Sequence, residues 1–354
     1  MNKYLYLCVA LALVVACVVV AAPRVWAGIP AIQREALIAL FESTNGDSWT
    51  DNKGWKDTPL AADGFALPGT EGRWYGIYVD AGNTTVIAID LSHNNLDGKV
   101  PALLGNLKKL EHLVLYNNQL GGNIPVELGS LSHLQELDLY NNALTGNIPA
   151  ELGNLTDLRW LSLGFNQLEG GIPTELGHLS NLQRLNLRNN QLEGGIPAEL
   201  GSLSNLQRLD LGNNQLNGSI PAALGHLSNL QRLDLGSNQL EGCIPAALGK
   251  LDNLQRLYLS SNKLRGPIPP ELGKLLVLQR LILDSNELMG RIPESLANLS
   301  SLEDDFGLDL RWNHLFTRDD ALRGFLTSKQ LDSDWESYQT PPFTIITPML
   351  MLLE

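Results

Sequence analysis

The chain has 354 residues, a formal net charge of −13 and three cysteines. So acidic a surface excludes a nucleic-acid partner gripped through its phosphates, and two cysteines in the first 17 residues with one at 243 exclude a disulfide framework. A length that ordinarily means two domains fits one elongated domain only where the sequence repeats.

Residues 1–27 combine Lys3, an apolar run from Tyr4 to Ala22 and the small-residue step Val25-Trp26-Ala27. This predicts a secretory signal peptide, whose removal takes away Lys3 and Arg24 and makes the net charge −15. Val14-Val15-Ala16-Cys17 also fits a lipoprotein box that would acylate Cys17, although the apolar run continues beyond it. An N-terminal cap is expected over 28–85. Pro30 suits a first helical turn, and Ile32, Leu37, Leu40 and Phe41 recur at helical spacing up to Asn45-Gly46. Trp49, Trp55, Phe65 and Trp74 follow among glycines and prolines. Such residues cover the open apolar face of an end coil; the rival reading is a tryptophan-lined ligand site.

From 86 to 316 the sequence repeats every 24 residues, giving about ten coils, and the Ile-Pro or Val-Pro step recurs from Pro101 to Pro293 without a slip. In the unit LQRLNLRNNQLEGGIPAELGSLSN, Leu182 to Asn205, Leu185 and Leu187 alternate with Arg184, Asn186 and Arg188, the period of a short strand with one buried face. Asn190 stands where the chain leaves that strand, able to donate and accept toward backbone groups the turn leaves unpaired. Its equivalents are Asn94, Asn118, Asn142, Asn166, Asn214, Asn238, Asn262, Asn286 and, after a three-residue insertion near Asp304–Phe306, Asn313. Stacked coils should therefore carry an asparagine ladder. Gly194 and Pro197 set the following turn, and Leu192, Ile196, Leu200 and Leu203 complete an interior that only neighbouring coils can bury.

Thr317-Arg318-Asp319-Asp320 predicts a capping box before a helix over Ala321–Lys329, with Leu322, Phe325 and Leu326 on one face. That helix and Trp335 form the expected C-terminal cap, 317–340. The tail, 341–354, is mostly apolar and too short to span a bilayer.

The LxGxIPxxLGxLxxL half of the unit resembles the plant-type leucine-rich repeat of receptor-kinase ectodomains, receptor-like proteins and polygalacturonase-inhibiting proteins. The resemblance covers residues 33–316. It implies a right-handed, twisted α/β solenoid with a long parallel concave β-sheet and a second short strand near the Gly-x-Ile-Pro step, capped at both ends by short helical segments. Arg73-Trp74-Tyr75-Gly76-Ile77-Tyr78-Val79 looks like the plant cap motif CxWxGVxC, with Gly72 and Val79 at the cysteine positions. Both that departure and the run from Trp312 to Thr340 are similar to bacterial exported leucine-rich repeat proteins.

No metalloprotease helix, phosphate-cradling loop or nucleophile elbow occurs, so no catalytic residues and no cofactor are expected. His178 and His226 sit two coils, about 10 Å, apart, too far for one metal ion. Function is then expected on the outward columns of the concave sheet. Tyr116, Tyr140, Trp160 and Phe165, with Glu136 and Asp138, make an aromatic and acidic patch suited to a protein hot spot or a sugar platform. Arg184, Arg208, Arg232 and Arg256 continue as a basic stripe flanked by Arg188, fit for a carboxylate polymer or an acidic protein loop; the plainer reading pairs the stripe with Asp210 and Asp234 for solubility. The expectation is a secreted or cell-surface, non-enzymatic monomer that binds a protein or glycan. The resemblance adds two alternatives, an inhibitor of a polysaccharide-degrading enzyme and the recognition part of a receptor-like protein. Asn83, Asn154, Asn217 and Asn298 are glycosylation sequons.

Overall fold

The computed structural model describes residues 28–331 and 334–339, so the expected signal peptide, Cys17 and the tail lie outside the described residues. An 11-stranded sheet runs the length of a right-handed solenoid, from Ile77–Val79 to Leu308–Asp309. Every neighbouring pair is parallel except Ile77–Val79, which lies antiparallel to Val86–Asp90 and closes the N-terminal edge. Register places like beside like: Arg184 faces Arg208, which faces Arg232. The repeat therefore turns sequence columns into physical stripes about 4.8 Å apart.

Each coil has the same construction. After the strand Arg184–Asn186, the chain passes through a short outer strand, Glu193–Gly195, paired with Gln215–Asn217, and then a 3-10 turn, Ala198–Ser202. Gly194 has φ 77°, which only glycine adopts freely. Gly201 serves another need, since a Cβ there would lie 2.4 Å from the Ala223 carbonyl oxygen of the next turn. Leu182, Leu185, Leu187, Leu192, Ile196, Leu200 and Leu203 are all buried, as are their counterparts along one continuous core.

The asparagines stitch the coils together. Asn190 Nδ2 donates to the Leu187 carbonyl (3.1 Å) and to the Leu163 carbonyl of the preceding coil (3.1 Å), while Oδ1 accepts from Leu168 N–H (3.0 Å). At the N-terminal end Asn94 exchanges hydrogen bonds with the backbone of Asp51, 2.7 and 2.9 Å. At the C-terminal end a residue absent from the repeat takes over. Gln339 Oε1 accepts from Leu315 N–H (2.9 Å), and its Nε2 donates to the Leu310 carbonyl (2.9 Å), the bonds a further asparagine would make.

Helix α1, Ala31–Ser43, packs Ala36, Leu37, Leu40 and Phe41 inward, but Ile32 is 52% exposed, contrary to the apolar face expected for it. Its place is taken by polar residues with dedicated partners. Gln33 Oε1 accepts from Val86 N–H (2.9 Å), and the buried Arg34 bridges Asp63 (2.8 Å) and Glu71 (2.5 Å) and donates to the Ala66 carbonyl (2.6 Å). Trp49, Trp55, Phe65 and Trp74 are each at most 5% exposed and pack ring on ring, so they fill the end of the core instead of lining a cleft. Helix α2, Asp320–Lys329, is capped by Asp319, whose carboxylate accepts from Leu322 N–H (2.7 Å); the cap is Asp319 and not Thr317 because Thr317 accepts from Asp319 N–H instead. Leu322, Leu326 and Trp335 are buried against the last coil.

Candidate recognition face

Outward columns of the sheet hold the candidate residues, and their neighbours follow from register alone. Over the first coils, His112 Nδ1 lies 3.0 Å from Glu136 Oε2 on the adjacent strand. Asp138 accepts from Tyr140 N–H (3.0 Å), yet burial, reinforced by the negative charges of Glu136 and Asp90, pushes its carboxyl up to about 6. Tyr116 stacks edge-on against His93, with ring centres 5.0 Å apart, and Tyr140 leans on Phe165 at 5.1 Å.

The expected arginine stripe separates into different environments. Arg184 lies over the Trp160 ring (4.7 Å) and Arg188 over the Phe165 ring (5.4 Å), so the aromatic patch and the first arginines form one platform. A guanidinium held over an aromatic ring keeps its charge. Arg208 is exposed. Arg232 is neutralised: Nε donates to Asp210 (2.7 Å), its terminal nitrogen donates to Asp234 (2.7 Å), and it covers the Tyr258 ring at 4.7 Å. The solubility pairing therefore exists, but at Arg232. Arg256 keeps an Nε without a hydrogen-bond partner, and Arg280 pairs with Glu303 at 2.8 Å.

Two features were not singled out from sequence. Arg311, Trp312 and Tyr338 form a second aromatic cluster at the far end, with ring centres 5.4 Å apart and the Arg311 guanidinium 4.8 Å from Trp312. Tyr338 follows the last recognisable coil, so no column pointed to it. Amide side chains also run in rows beside the sheet, as where Asn141 donates to Asn117 (2.7 Å) and Gln119 to Asn95 (2.6 Å). Asn83 is buried, with its side chain donating to the Gly69 carbonyl, so this fold leaves no room for a glycan on that sequon. Among the described residues no cluster of three or more His, Cys, Asp or Glu could hold a metal ion, and no helix is long and apolar enough to cross a membrane.

Leucine-rich repeat models match residues 86–107, 109–131, 133–155, 157–179 and 277–299, a two-copy leucine-rich repeat model matches 180–226, and a further one matches 204–264. No curated protein matches the chain. Among solved structures, the ectodomain of the Arabidopsis thaliana receptor kinase GASSHO1/SCHENGEN3, in complex with Casparian strip integrity factor 2, is 39% identical over 83% of this chain and 34% of its own, with a TM-score of 0.73. The ectodomain of the Arabidopsis receptor kinase HAESA, bound to an extended IDA peptide hormone, is 33% identical over 80% of this chain and 45% of its own, with a TM-score of 0.66. The chain thus spans less than half the length of those receptor ectodomains. A plant ice-binding protein is 26% identical over 86% of this chain and 95% of its own, with a TM-score of 0.68.

Proposed function

The chain belongs to the leucine-rich repeat family, in its plant-type form, and from that premise we propose a secreted or cell-surface recognition protein that holds an acidic polypeptide segment along its concave sheet. The observation that carries this reading is the platform of Trp160, Phe165, Arg184 and Arg188. Its arginines rest on rings, and the neighbouring Arg208 is exposed, so positive charge faces outward over the middle coils of an acidic protein. Exposed aromatics with arginine are the side chains that dominate binding energy at interfaces, and arginine forks match partner carboxylates. The HAESA ectodomain, whose solved structure holds a peptide hormone, supports a polypeptide over other ligands.

Panning a random peptide library on the immobilised chain tests the reading. Selected peptides should carry Asp or Glu beside an apolar residue. Trp160→Ala should weaken them by about 2 kcal/mol, and Arg184→Gln should lower their dependence on salt. Peptides that bind both variants as well as the parent would remove the platform from consideration. A parallel assay against pectin- and glucan-cleaving enzymes decides the alternative: inhibition lost in the same variants would make the partner a folded enzyme.

A further inference from the structure

Register places Arg208, Arg232 and Arg256 on three successive strands of the concave sheet. The middle one is already satisfied: Arg232 donates to Asp210 and Asp234, at 2.7 Å each, and covers the Tyr258 ring. Arg208 is exposed and Arg256 half-buried, and among the described residues neither takes part in an ion pair. Arg256 Nε is in addition shielded from water without an acceptor, which costs free energy until one arrives. Upstream, Arg184 is held on the Trp160 ring and belongs to the platform. The stripe thus offers two open cations, two strands or about 9.6 Å apart, with a closed one between them.

That interval selects a conformation in an acidic partner. A polyproline II segment has three residues per turn and rises about 3.1 Å per residue, so side chains at i and i+3 share a face about 9.3 Å apart. Same-face side chains of a β-strand recur at about 6.7 or 13 Å, and neither matches. On an α-helix, positions i and i+7 lie about 10.5 Å apart, but a docked helix needs support for an apolar stripe. Asp210 and Asp234 occupy the column beside these arginines, so the sheet has no apolar surface to offer there. A polyproline II segment leaves its backbone groups free for such polar neighbours and is already populated in unfolded chains, so little freedom is lost on binding. The adjacent column changes at the next strand, where Tyr258 pairs in register with Ile282, both half-buried. An apolar residue flanking the acid at Arg256 therefore finds a counterpart, whereas one flanking the acid at Arg208 meets Asp210.

We propose that Arg208 and Arg256 read two carboxylates three residues apart in a polyproline II segment laid along the solenoid axis, with an apolar residue beside the carboxylate at Arg256. This register rests on an acidic polypeptide being the partner, and it adds the conformation and spacing of that partner. Each guanidinium takes one carboxylate through charge-assisted hydrogen bonds. Arg232, tied to Asp210 and Asp234, lies under the spacer residues without competing for either acid.

Titration of the full chain with three proline-rich peptides, their two glutamates separated by one, two or three prolines and the second followed by leucine, tests this. A fourth peptide, alanine-rich and helical, carries its glutamates seven apart. The two-proline spacer should bind about tenfold tighter than the other three. Arg208→Gln and Arg256→Gln should each lower that affinity about tenfold and erase the preference among spacers, while Tm stays level. Equal affinity for all spacers would overturn the register and leave the acidic reading intact; failure of all four peptides, together with library peptides that lack acids, would remove both. Tighter binding of the helical peptide, a spacer preference that survives Arg256→Gln, a fall in Tm for that variant, or polygalacturonate binding above that of every peptide would each overturn the proposal.

Discussion

Asn190 shows how much one side chain decides. Its amide satisfies two carbonyls and an N–H belonging to adjacent coils, in a site where water has little access. Asn190→Ala should cost about 1–3 kcal/mol, because buried backbone groups lose partners they cannot replace; a urea midpoint equal to that of the parent protein would refute the stitch. This ladder is legible in the sequence because one residue type recurs at one interval. Gln339 is not legible, since it sits 26 residues after Asn313, outside any repeat frame, and reaches the same groups only through a longer side chain on a different backbone path. Asp138 is a second case in which geometry outruns sequence. A carboxylate in an exposed column would ordinarily titrate near 4, but burial beside Glu136 pushes this one up to about 6. The folded state therefore binds the proton more tightly than the unfolded chain. The resulting stabilisation is full below about pH 4 and is lost as pH rises through about 6, a change of about 2 kcal/mol or less. Asp138→Asn should flatten the stability profile over that window, and an unchanged pH profile in the variant would show that another group carries it.

The elements are held by polar stitches as much as by apolar faces. Helix α1 was legible from its periodicity, yet Ile32 points to solvent while Gln33 and Arg34 are buried, because the cap places acceptors and a donor where those side chains land. Nothing in the spacing of Asp63 and Glu71 announces that they converge on Arg34. Glu71 is 1% exposed, so Arg34→Met would leave a buried carboxylate without its cation. A loss of about 3–5 kcal/mol is expected, read as early melting of the tryptophan fluorescence of the cap; loss below 1 kcal/mol would mean that water reaches Glu71. The arginine column makes the converse point. Five consecutive coils share one residue, and sequence assigns them one role, but their partners differ because the neighbouring column changes from Asn186 to Asp210, Asp234 and Tyr258. Arg232→Gln should destabilise by about 1–3 kcal/mol through the two carboxylates left facing each other. Arg208→Gln should stay within about 0.5 kcal/mol. Equal effects at both positions would contradict the division of the stripe into structural and available cations.

At the scale of the molecule, the solenoid is a sum of coils and contacts between neighbours, and its ends are sealed by unrelated devices: the Trp-rich cap with its antiparallel strand, and helix α2 with Trp335 and Gln339. Stacking of identical columns was legible because the period never slips before Asp304; the caps were legible only as aromatic and helical segments, since each meets its coil through a unique set of contacts. An internal coil should then be removable, provided the cut respects the period. Deleting residues 206–229 joins Asn205 to Leu230 and brings Arg184 beside Arg232 with leucines, ladder and turns still in register. That variant should remain folded and monodisperse, be shorter by about 4.8 Å, and unfold at lower urea because one coil and one interface are gone. Deleting only 206–217 sets strand leucines against turn residues and should abolish cooperative unfolding. The 24-residue deletion also spares Trp160, Phe165, Arg184 and Arg188, so peptide binding at that platform should survive it. Scattering profiles, urea titrations and the peptide-binding assay on this single variant therefore examine the repeat and the platform independently, and a cooperative, well-folded 12-residue deletion would deny that register holds the molecule together.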